Sequence, residues 1–190
     1  MWYNRNDISQ RYIKEMHDLN SKKRTKKQWI LFISGIILLS IGISILGYFG
    51  ARKLHREYIK YKLMKENPVV EITDLKIKAP ILEGTDNETL AKAAGHFKDT
   101  GDFGKGNYCI AGHSSVIYDE YFNDLKNAQK GMKISLYDKQ KNVYTYTIDE
   151  TFIVEPEETW ILNDFGDNRL TIVTCTDDGT QRHVVVGLLD

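Results

Sequence analysis

Residues 28–51 limit the fold of this chain more than any other stretch, because none of them is charged and most are large and apolar. About 20 consecutive apolar residues are enough to cross the hydrocarbon core of a bilayer as a helix. Trp29 and Tyr48 lie near the two ends, where interfacial aromatic residues are expected. A cleaved signal peptide is the alternative, but its apolar core would be shorter, roughly 7–15 residues, with a small-residue cleavage site after it. The stretch is not followed by a convincing site of that kind, so the sequence favours an uncleaved transmembrane anchor.

The charge of the chain is unevenly distributed, although its formal net charge is zero. Residues 1–62 hold thirteen Lys and Arg against four Asp and Glu, a net charge of +9; residues 63–190 hold thirteen against twenty-two, a net charge of −9. A basic segment around an apolar stretch favours contact with a membrane surface, and the acidic remainder would repel a phosphate backbone. We therefore expect membrane lipid as a partner, and no nucleic acid.

Basic residues flank the apolar stretch on both sides, and the denser group precedes it. Five of the six residues at 22–27 are basic, and eight basic residues precede the stretch against five that follow it at 52–62. The positive-inside rule then predicts a single-pass protein with a cytoplasmic N-terminus and an extracellular C-terminal domain. The predicted segments are a cytoplasmic basic tail at 1–27, a transmembrane anchor at 28–51, a juxtamembrane helical stalk at 52–68 and a folded domain at 69–190.

Short runs of alternating apolar and polar residues, separated by Gly, Asn and Asp turns, predict about seven or eight strands in the folded domain. Residues 69–82 predict one or two strands broken at Pro80, and residues 132–137 and 143–154 predict a hairpin. A helical turn is predicted at 118–125. The pattern indicates a mainly β fold with short helices, and strand counting leaves a closed barrel and a sandwich both open.

Near the C-terminus, a cysteine ends one apolar run and an arginine begins the next. Residues 170–173 read as a buried strand leading to Cys175, and the turn residues at 176–181 separate it from a second strand that opens with Arg182. A fixed cation beside a thiol favours the reactive thiolate and stabilises charge on a carbonyl oxygen under attack. For an arbitrary pair of this kind, however, a core cysteine followed by a surface arginine is the commoner arrangement.

A cysteine nucleophile also needs a proton acceptor, most often a histidine that the fold brings near it. His113 follows a short apolar strand at 107–112, so it is placed like Cys175, at a strand end that opens into a loop. The other histidines lie beside the apolar stretch, after a predicted helix, or next to Arg182 on the opposite face of its strand: His17, His55, His96 and His183.

These motifs together resemble the signature of the sortases, the cysteine transpeptidases of Gram-positive cell surfaces. They are Ala-Gly-His-Ser at 111–114, Leu-Thr-Ile-Val-Thr-Cys at 170–175, and Arg182 shortly after. The resemblance covers roughly residues 72–189 and implies an eight-stranded sortase-type β-barrel, with residues 69–190 as the catalytic domain. It extends to Pro-Ile-Leu-Glu-Gly at 80–84 and Gly-Lys-Gly-Asn-Tyr at 104–108.

The resemblance also implies the chemistry and the partners. Cys175 would attack the threonine carbonyl of an LPxTG-like sorting signal, and the amine of a peptidoglycan precursor, or another amine acceptor, would resolve the thioacyl enzyme. His113 would protonate the leaving amine and deprotonate the incoming one, and Arg182 would hold the substrate backbone and the developing oxyanion. No cofactor is implied. The residues expected to line the substrate groove are Ala111, Ser114, Ile172 and Thr174.

The subclass and the general function leave alternatives open. None of the three prolines fits the aromatic lid motif of pilin-polymerising sortases, and the loop before Cys175 is too short for the extra helix of class B. A housekeeping type of class A or class D is favoured, although the six residues between Cys175 and Arg182 are few for class A. A membrane-tethered cysteine hydrolase would use the same residues with water as acceptor, and a non-catalytic surface-binding module would need Cys175 to be merely structural.

A disulfide and a metal site are both disfavoured by the sequence. Cys109 lies four residues before His113, about 13 Å further down its strand at roughly 3.3 Å per residue, whereas a disulfide needs Cα atoms within about 7 Å. We therefore interpret Cys109 as a buried hydrophobic residue and expect Cys175 to be reduced. Some sortases bind calcium at an acidic loop before the catalytic strand, but residues 155–167 read here as a solvated acidic loop without a metal.

Overall fold

The computed structural model describes residues 9–16, 25–115 and 120–190, so the predicted tail at 1–27 and the predicted helical turn at 118–125 lie partly outside the described residues. Residues 9–16 are helical, and a long helix, α1, runs over Lys26–Glu66. The start of α1 is capped reciprocally: Thr25 N donates to Gln28 Oε1 at 2.9 Å, and Gln28 N donates to Thr25 Oγ1 at 3.4 Å. This exchange satisfies two backbone donors that a helix start otherwise leaves free.

Helix α1 is the one helix in the described residues that is long and apolar enough to cross a membrane. At about 1.5 Å per residue, its uncharged stretch at 28–51 is roughly 36 Å long. The helix ends just before Pro68, where Asn67 donates from its backbone N and its Nδ2 to Leu63 O, both at 3.0 Å. Lys141 Nζ donates to Met64 O at 3.5 Å and to Asn67 O at 3.4 Å. The lysine ammonium therefore provides a hydrogen-bond donor to carbonyl groups at the C-terminal end of the helix.

Eight strands close into a barrel, which confirms the predicted fold and decides between barrel and sandwich. Around the barrel the strands follow the order β1-β2-β3-β4-β7-β8-β6-β5. Two neighbouring pairs, β2 with β3 and β4 with β7, are parallel, and the other pairs are antiparallel. The strands are β1 Val69–Ile72, β2 Ile77–Glu83, β3 Ala94–His96, β4 Asn107–Ala111, β5 Lys133–Tyr137, β6 Val143–Val154, β7 Arg169–Cys175 and β8 Arg182–Leu189.

The break predicted at Pro80 is misplaced. The chain turns at a 3-10 helix, Thr73–Leu75, and Lys76 adopts a left-handed conformation with φ 56°. Pro80 instead lies inside β2, where Ile81 N donates to Pro68 O on the β1 side. Because backbone groups alternate along a strand, the Pro80 nitrogen faces the β3 side, where pairing begins only at Ile81. Proline is tolerated there because the ladder needs no donor at that position.

A one-turn helix, α2, occupies Asn87–Leu90 and precedes β3. Its cap is Asp86, whose carboxylate accepts from Glu88 N and Thr89 N, both at 3.0 Å. Hydrogen bonds from the Thr89 hydroxyl and the Thr89 backbone hold the pKa of Asp86 below its usual value.

Apolar side chains pack on both sides of β7. Leu170 and Ile172, both without exposed surface, face inward into the main core of the barrel. Val173 faces outward and packs with Val184 and Ile161 in a second, smaller cluster on the outer surface. β7 is therefore buried on both faces, which explains its continuous apolar character.

The outer cluster is covered by the β6–β7 loop, which contains a 3-10 helix at Trp160–Leu162. Asn107 anchors this loop, since its Nδ2 donates to Ile161 O at 2.8 Å and to Asn163 O at 2.9 Å. The Thr171 hydroxyl in turn donates to Asn107 Oδ1 at 2.7 Å. Buried polar side chains thus fix the loop that runs into β7.

Candidate active site

Cys175 and Arg182 lie directly opposite each other on neighbouring strands. Cys175 ends β7, Arg182 begins β8, and the two residues are Cα partners in the antiparallel ladder. Directly paired residues of an antiparallel ladder project from the same face of the sheet. The thiol and the guanidinium therefore occupy the same face at the same end of the barrel.

His113 reaches this end of the barrel on the other side of β7. The parallel register pairs Ala111 with Val173 and continues with a hydrogen bond of 3.1 Å from Gly112 N to Val173 O. His113 lies two residues beyond Ala111, and Cys175 lies two residues beyond Val173. The structure therefore brings the ends of three strands, β4, β7 and β8, together around the predicted residues.

Two side-chain hydrogen bonds fasten the His113 segment to the end of β7. Thr174 Oγ1 donates to Gly112 O at 2.8 Å, and Ser114 Oγ donates to Cys175 O at 2.7 Å. Gly112 is required for close packing there, because a Cβ atom at this position would lie 2.5 Å from Cδ2 of buried Phe122. The backbone around His113 and Cys175 is thus held by both polar bonds and packing.

The end of the β7–β8 pair presents one row of side chains to each side of the sheet. The outer row is Cys175, Arg182 and Val154, paired across β7, β8 and β6. Val154 belongs to the outer cluster, so this row continues the apolar outer surface. The inner row is Thr174, His183 and Ile153, paired across the same strands and facing the mouth of the barrel.

The loop between β7 and β8 is closed by its own hydrogen bonds. Thr176 N donates to Gln181 O at 3.1 Å, and Gly179, with φ +74°, provides the left-handed turn. Asp178 accepts from Thr176 Oγ1 at 2.6 Å and from Thr180 Oγ1 at 2.9 Å. These bonds, that of Thr176 first, hold the pKa of the Asp178 carboxyl below its usual value. Six residues are thus folded into a compact turn beside the thiol.

Two side-chain contacts fix this loop to its surroundings. Gln181 Nε2 donates to Glu155 Oε1 at 2.7 Å, which joins the loop to the residue after β6. On the other side, Lys126 and Asp177 form an ion pair of 2.7 Å that joins it to the segment following His113. Arg182 Nη1 donates to Gln181 O at 3.1 Å and to Gly179 O at 3.4 Å, so the loop also positions the guanidinium.

A pocket of about 310 Å³ opens beside Cys175 on the inner side of the strand ends. One wall comes from the segment after His113, with Ser114, Phe122 and Lys126, and the other comes from the end of β7 and its loop. His183 and Ile153 of the inner row also line it. Cys175 therefore has an apolar outer surface on one side and a pocket on the other.

A family model of the sortase domain matches residues 70–190, which is more than half of the chain. The chain belongs to the sortase family. Sortases are cysteine transpeptidases, and the cysteine, histidine and arginine expected from the resemblance all lie at one end of this barrel.

Named relatives and solved structures agree with this membership. Sortase A of Streptococcus agalactiae is 39% identical over 126 residues, which cover 62% of this chain and 49% of that protein. Sortase A of Bacillus anthracis is 32% identical over 120 residues, which cover 62% of this chain and 57% of that protein. A solved Clostridium perfringens sortase D5 transpeptidase superposes with a TM-score of 0.59 at 31% identity, covering 70% of this chain and 88% of that one. The names are consistent with a class A or class D type, and the chain spans about half of the length of the curated relatives it matches.

The structure separates the four residues expected to line the groove of this sortase domain. Ala111 faces outward beside Val173, on the same side as Cys175. Ile172 does not fit a groove-lining role, because it faces the barrel interior and has no exposed surface. Thr174 is also inward-facing, and both it and Ser114 line the inner pocket and not the outer surface.

Cys109 is a free, buried cysteine, as interpreted from the sequence. It pairs with Thr171 in the β4–β7 register, four residues before the Cys175 position. Burial is the main cause that raises the pKa of the Cys109 thiol to about 12. This thiol is therefore protonated and shielded at neutral pH, and Cys175 is the reactive candidate of the two.

Several residues around the site escaped the sequence interpretation. Val173 could have been found, because counting back two residues from Cys175 along a strand stays on the same face. His183 was correctly placed on the face opposite Arg182, but nothing in the sequence indicated a pocket there. The contact of Gln181 with Glu155 joins two loops 26 residues apart, and no local pattern predicts such a pair.

Proposed function

We propose that this chain is a membrane-anchored sortase that cleaves an LPxTG-like sorting signal through a thioacyl intermediate and transfers the protein to a cell-wall amine. The observation that carries the proposal is the direct pairing of Cys175 with Arg182, on a strand whose other neighbour leads to His113. Family membership supports the same reaction class.

In the first half of the reaction, Cys175 Sγ attacks the threonine carbonyl carbon of the sorting signal. The developing oxyanion and the nearby substrate backbone are bound by Arg182, whose planar guanidinium donates parallel hydrogen bonds. His113 gives a proton to the departing amine, so that the peptide bond breaks and a thioester with Cys175 remains. The outer cluster with Val173 and Val184, which the β6–β7 loop covers, packs beneath the strand ends that hold the thiol.

In the second half, a primary amine attacks the thioester carbonyl. His113 takes the proton from the incoming amine, the new C–N bond forms, and the C–S bond breaks to return the thiolate of Cys175. The acceptor is the amine of a peptidoglycan precursor or a related cell-wall amine. Water in place of the amine would make the same site a hydrolase.

The anchor and the orientation complete the proposal. Helix α1 is apolar and long enough to cross a membrane, and the denser basic group at 22–27 favours a cytoplasmic N-terminus. The catalytic domain would then lie outside the cell, where sorting signals and cell-wall precursors are accessible.

The proposal is tested by incubating the full chain in detergent micelles with a library of sorting peptides, with and without an amine. Mass spectrometry should find an acyl adduct on Cys175 and, when the amine is present, a peptide joined to it. Cys175→Ala should form neither product. Hydrolysis alone at saturating amine would assign the site to a cysteine hydrolase, and the absence of any cleavage would favour a binding module.

A further inference from the structure

The last turns of α1 pack against the barrel along one face of the helix. Residues 55–190 form one compact unit, which therefore includes these turns. The partly buried residues recur every four positions and are Ile59, Lys60, Leu63, Met64 and Asn67, whereas residues 61, 62, 65 and 66 are exposed. Residues three and four apart lie on the same side of a helix. The end of α1 is thus part of the folded domain.

These turns run along the side of the barrel towards the end opposite Cys175. At that end β5 finishes at Tyr137 and β1 begins at Val69, and the two residues are Cα partners. Both line a cavity of about 210 Å³ together with Met64 of α1. Lys60 lies one turn before Met64, and it contacts the segment that follows His113, at the other end of the barrel.

The contact at the Cys175 end is a cation–π pair. Lys60 Nζ lies 5.1 Å from the centre of the Tyr121 ring, within the roughly 6 Å over which a cation is attracted to an aromatic face. Tyr121 is partly buried and packs against the main core of the barrel. The ammonium of Lys60 therefore holds a ring that is already fixed on its other side.

The two residues after Tyr121 hold the backbone on both sides of His113. Phe122 N donates to His113 O at 3.4 Å, and Ser115 N donates to Asn123 Oδ1 at 2.7 Å. A Cβ atom on Gly112 would lie 2.5 Å from the Phe122 ring, so these two residues are in close contact. A shift of the segment at 121–123 would therefore move His113.

We propose that Lys60 is a positioning residue for His113, so that the end of α1 forms part of the active-site framework. The ammonium of Lys60 holds the Tyr121 ring, and the segment at 121–123 holds His113 where it gives its proton to the departing amine. The inference rests on the proposed transpeptidation. Lys60 itself neither touches the substrate nor transfers a proton.

The test separates proton transfer by His113 from the rest of acylation by changing the leaving group. The full chain in detergent is given one sorting peptide and, separately, the same peptide cut after the threonine and converted to a p-nitrophenyl ester. An amine must be protonated as it departs, whereas p-nitrophenolate leaves as an anion and needs no general acid. Single-turnover acylation of Cys175 is measured with each substrate.

Three variants isolate the charge of Lys60. Lys60→Met removes the charge and keeps an unbranched stem, Lys60→Arg keeps the cation, and Lys62→Met is the matched control at an exposed position of the same helix. A further variant, Arg182→Lys, should slow acylation by both substrates, because an oxyanion develops with either leaving group.

Lys60→Met should slow acylation by the sorting peptide about fivefold and leave acylation by the ester unchanged. Fivefold corresponds to about 1 kcal/mol, the size of a partly exposed cation–π contact. KM for the sorting peptide should not change, because no substrate contact is lost. Lys60→Arg should retain most of the rate, and Lys62→Met should match the unaltered chain.

Equal rates for Lys60→Met and the unaltered chain on the sorting peptide would overturn the inference and leave the proposed function intact. Equal slowing of both substrates would also overturn it, because that result indicates a general distortion of the site. Tyr121→Leu should reproduce the loss, with little added by Lys60→Met, and additive losses would contradict coupling through the ring. An unaltered chain that neither substrate acylates would instead remove the proposed function, and this inference with it.

Discussion

Gln181 donates a hydrogen bond of 2.7 Å to Glu155, and the residue that follows Gln181 is Arg182. The bond fixes the loop from the side of β6, while Gln181 O accepts from Arg182 Nη1. Gln181 is therefore a positioning residue for the guanidinium. Gln181→Ala should lower kcat/KM about fivefold, in line with the roughly 1 kcal/mol that a solvent-accessible hydrogen bond contributes.

The matched control for Gln181→Ala is Glu157→Ala, which removes an exposed carboxylate of the β6–β7 loop two residues from Glu155. Glu155→Ala should reproduce the loss, and Glu157→Ala should not. In an Arg182→Ala background, Gln181→Ala should have almost no further effect, because the two residues act as one unit. Additive losses in this double-mutant cycle would contradict a role through Arg182.

Arg182 itself should be sensitive to a change that preserves its charge. Lysine keeps the cation but lacks the planar fork that donates two parallel bonds. Loss of one oxyanion donor typically costs about 10²–10³ in rate, so Arg182→Lys should fall in that range or beyond and Arg182→Ala should be worse. Steady-state kinetics on one peptide measures both variants.

The control for this series is Arg169→Lys at the opposite end of β7. Arg169 pairs with Asp167 and covers the Phe165 ring at 4.2 Å, so its loss should affect stability and not the reaction. Near-normal turnover of Arg182→Ala would refute the role of this residue and weaken the assignment of the strand pair as an active site.

The two thiols should differ sharply in reactivity. Cys109 has no exposed surface and a thiol pKa of about 12, whereas Cys175 is half-buried at a strand end. Iodoacetamide at neutral pH should therefore label one thiol in the folded protein and two after denaturation, as counted by mass spectrometry. Cys175→Ala should abolish both native labelling and turnover, and Cys109→Ala should retain both; turnover lost with Cys109 alone, in a folded protein, would reverse the assignment.

Gly112→Ala should disturb the site through packing alone. The added Cβ would lie 2.5 Å from Phe122 Cδ2 and 2.6 Å from Cε2, and Phe122 has no exposed surface and thus little room to move. Overpacking of this kind costs about 1–3 kcal/mol, so thermal unfolding should occur at a lower temperature and activity should fall. If Gly112→Ala, Phe122→Leu recovers neither quantity, the clash is not the cause.

The proposed topology rests on the charge distribution around α1. Protease added to intact protoplasts should remove the domain at 69–190 and leave the N-terminal segment protected. Replacing the basic residues at 22–27 by Gln should reduce this bias, because the remaining basic residues at 52–62 would then dominate. Protection of the domain together with cleavage of the N-terminus would reverse the orientation.

The strands and the three central residues at their ends were accessible from the sequence because alternation and strand ends are local signals, whereas closure into a barrel was implied only by the resemblance to the sortases. The run at 170–173, the hairpin strands and His113 at the end of β4 all follow from such patterns. The sequence predicts a break at Pro80 because a proline usually interrupts a strand. In the structure, pairing of β2 with β3 begins only at Ile81, so no backbone N–H donor is needed at Pro80. Which face of β7 meets solvent depends on barrel closure, so the sequence alone does not show that Ile172 faces the core.

The distance between the two cysteines determines how the protein responds to oxidants. Peroxide converts an accessible thiolate to a sulfenic acid, which a nearby thiol normally rescues by forming a disulfide. The other thiol of the chain, Cys109, is fully buried and pairs with Thr171 of β7, four residues before Cys175. It therefore cannot form a disulfide with Cys175. The sulfenic acid of Cys175 can therefore be reduced only by way of a disulfide with a thiol from another molecule. Without such a thiol, further peroxide oxidises it irreversibly to the sulfinic acid.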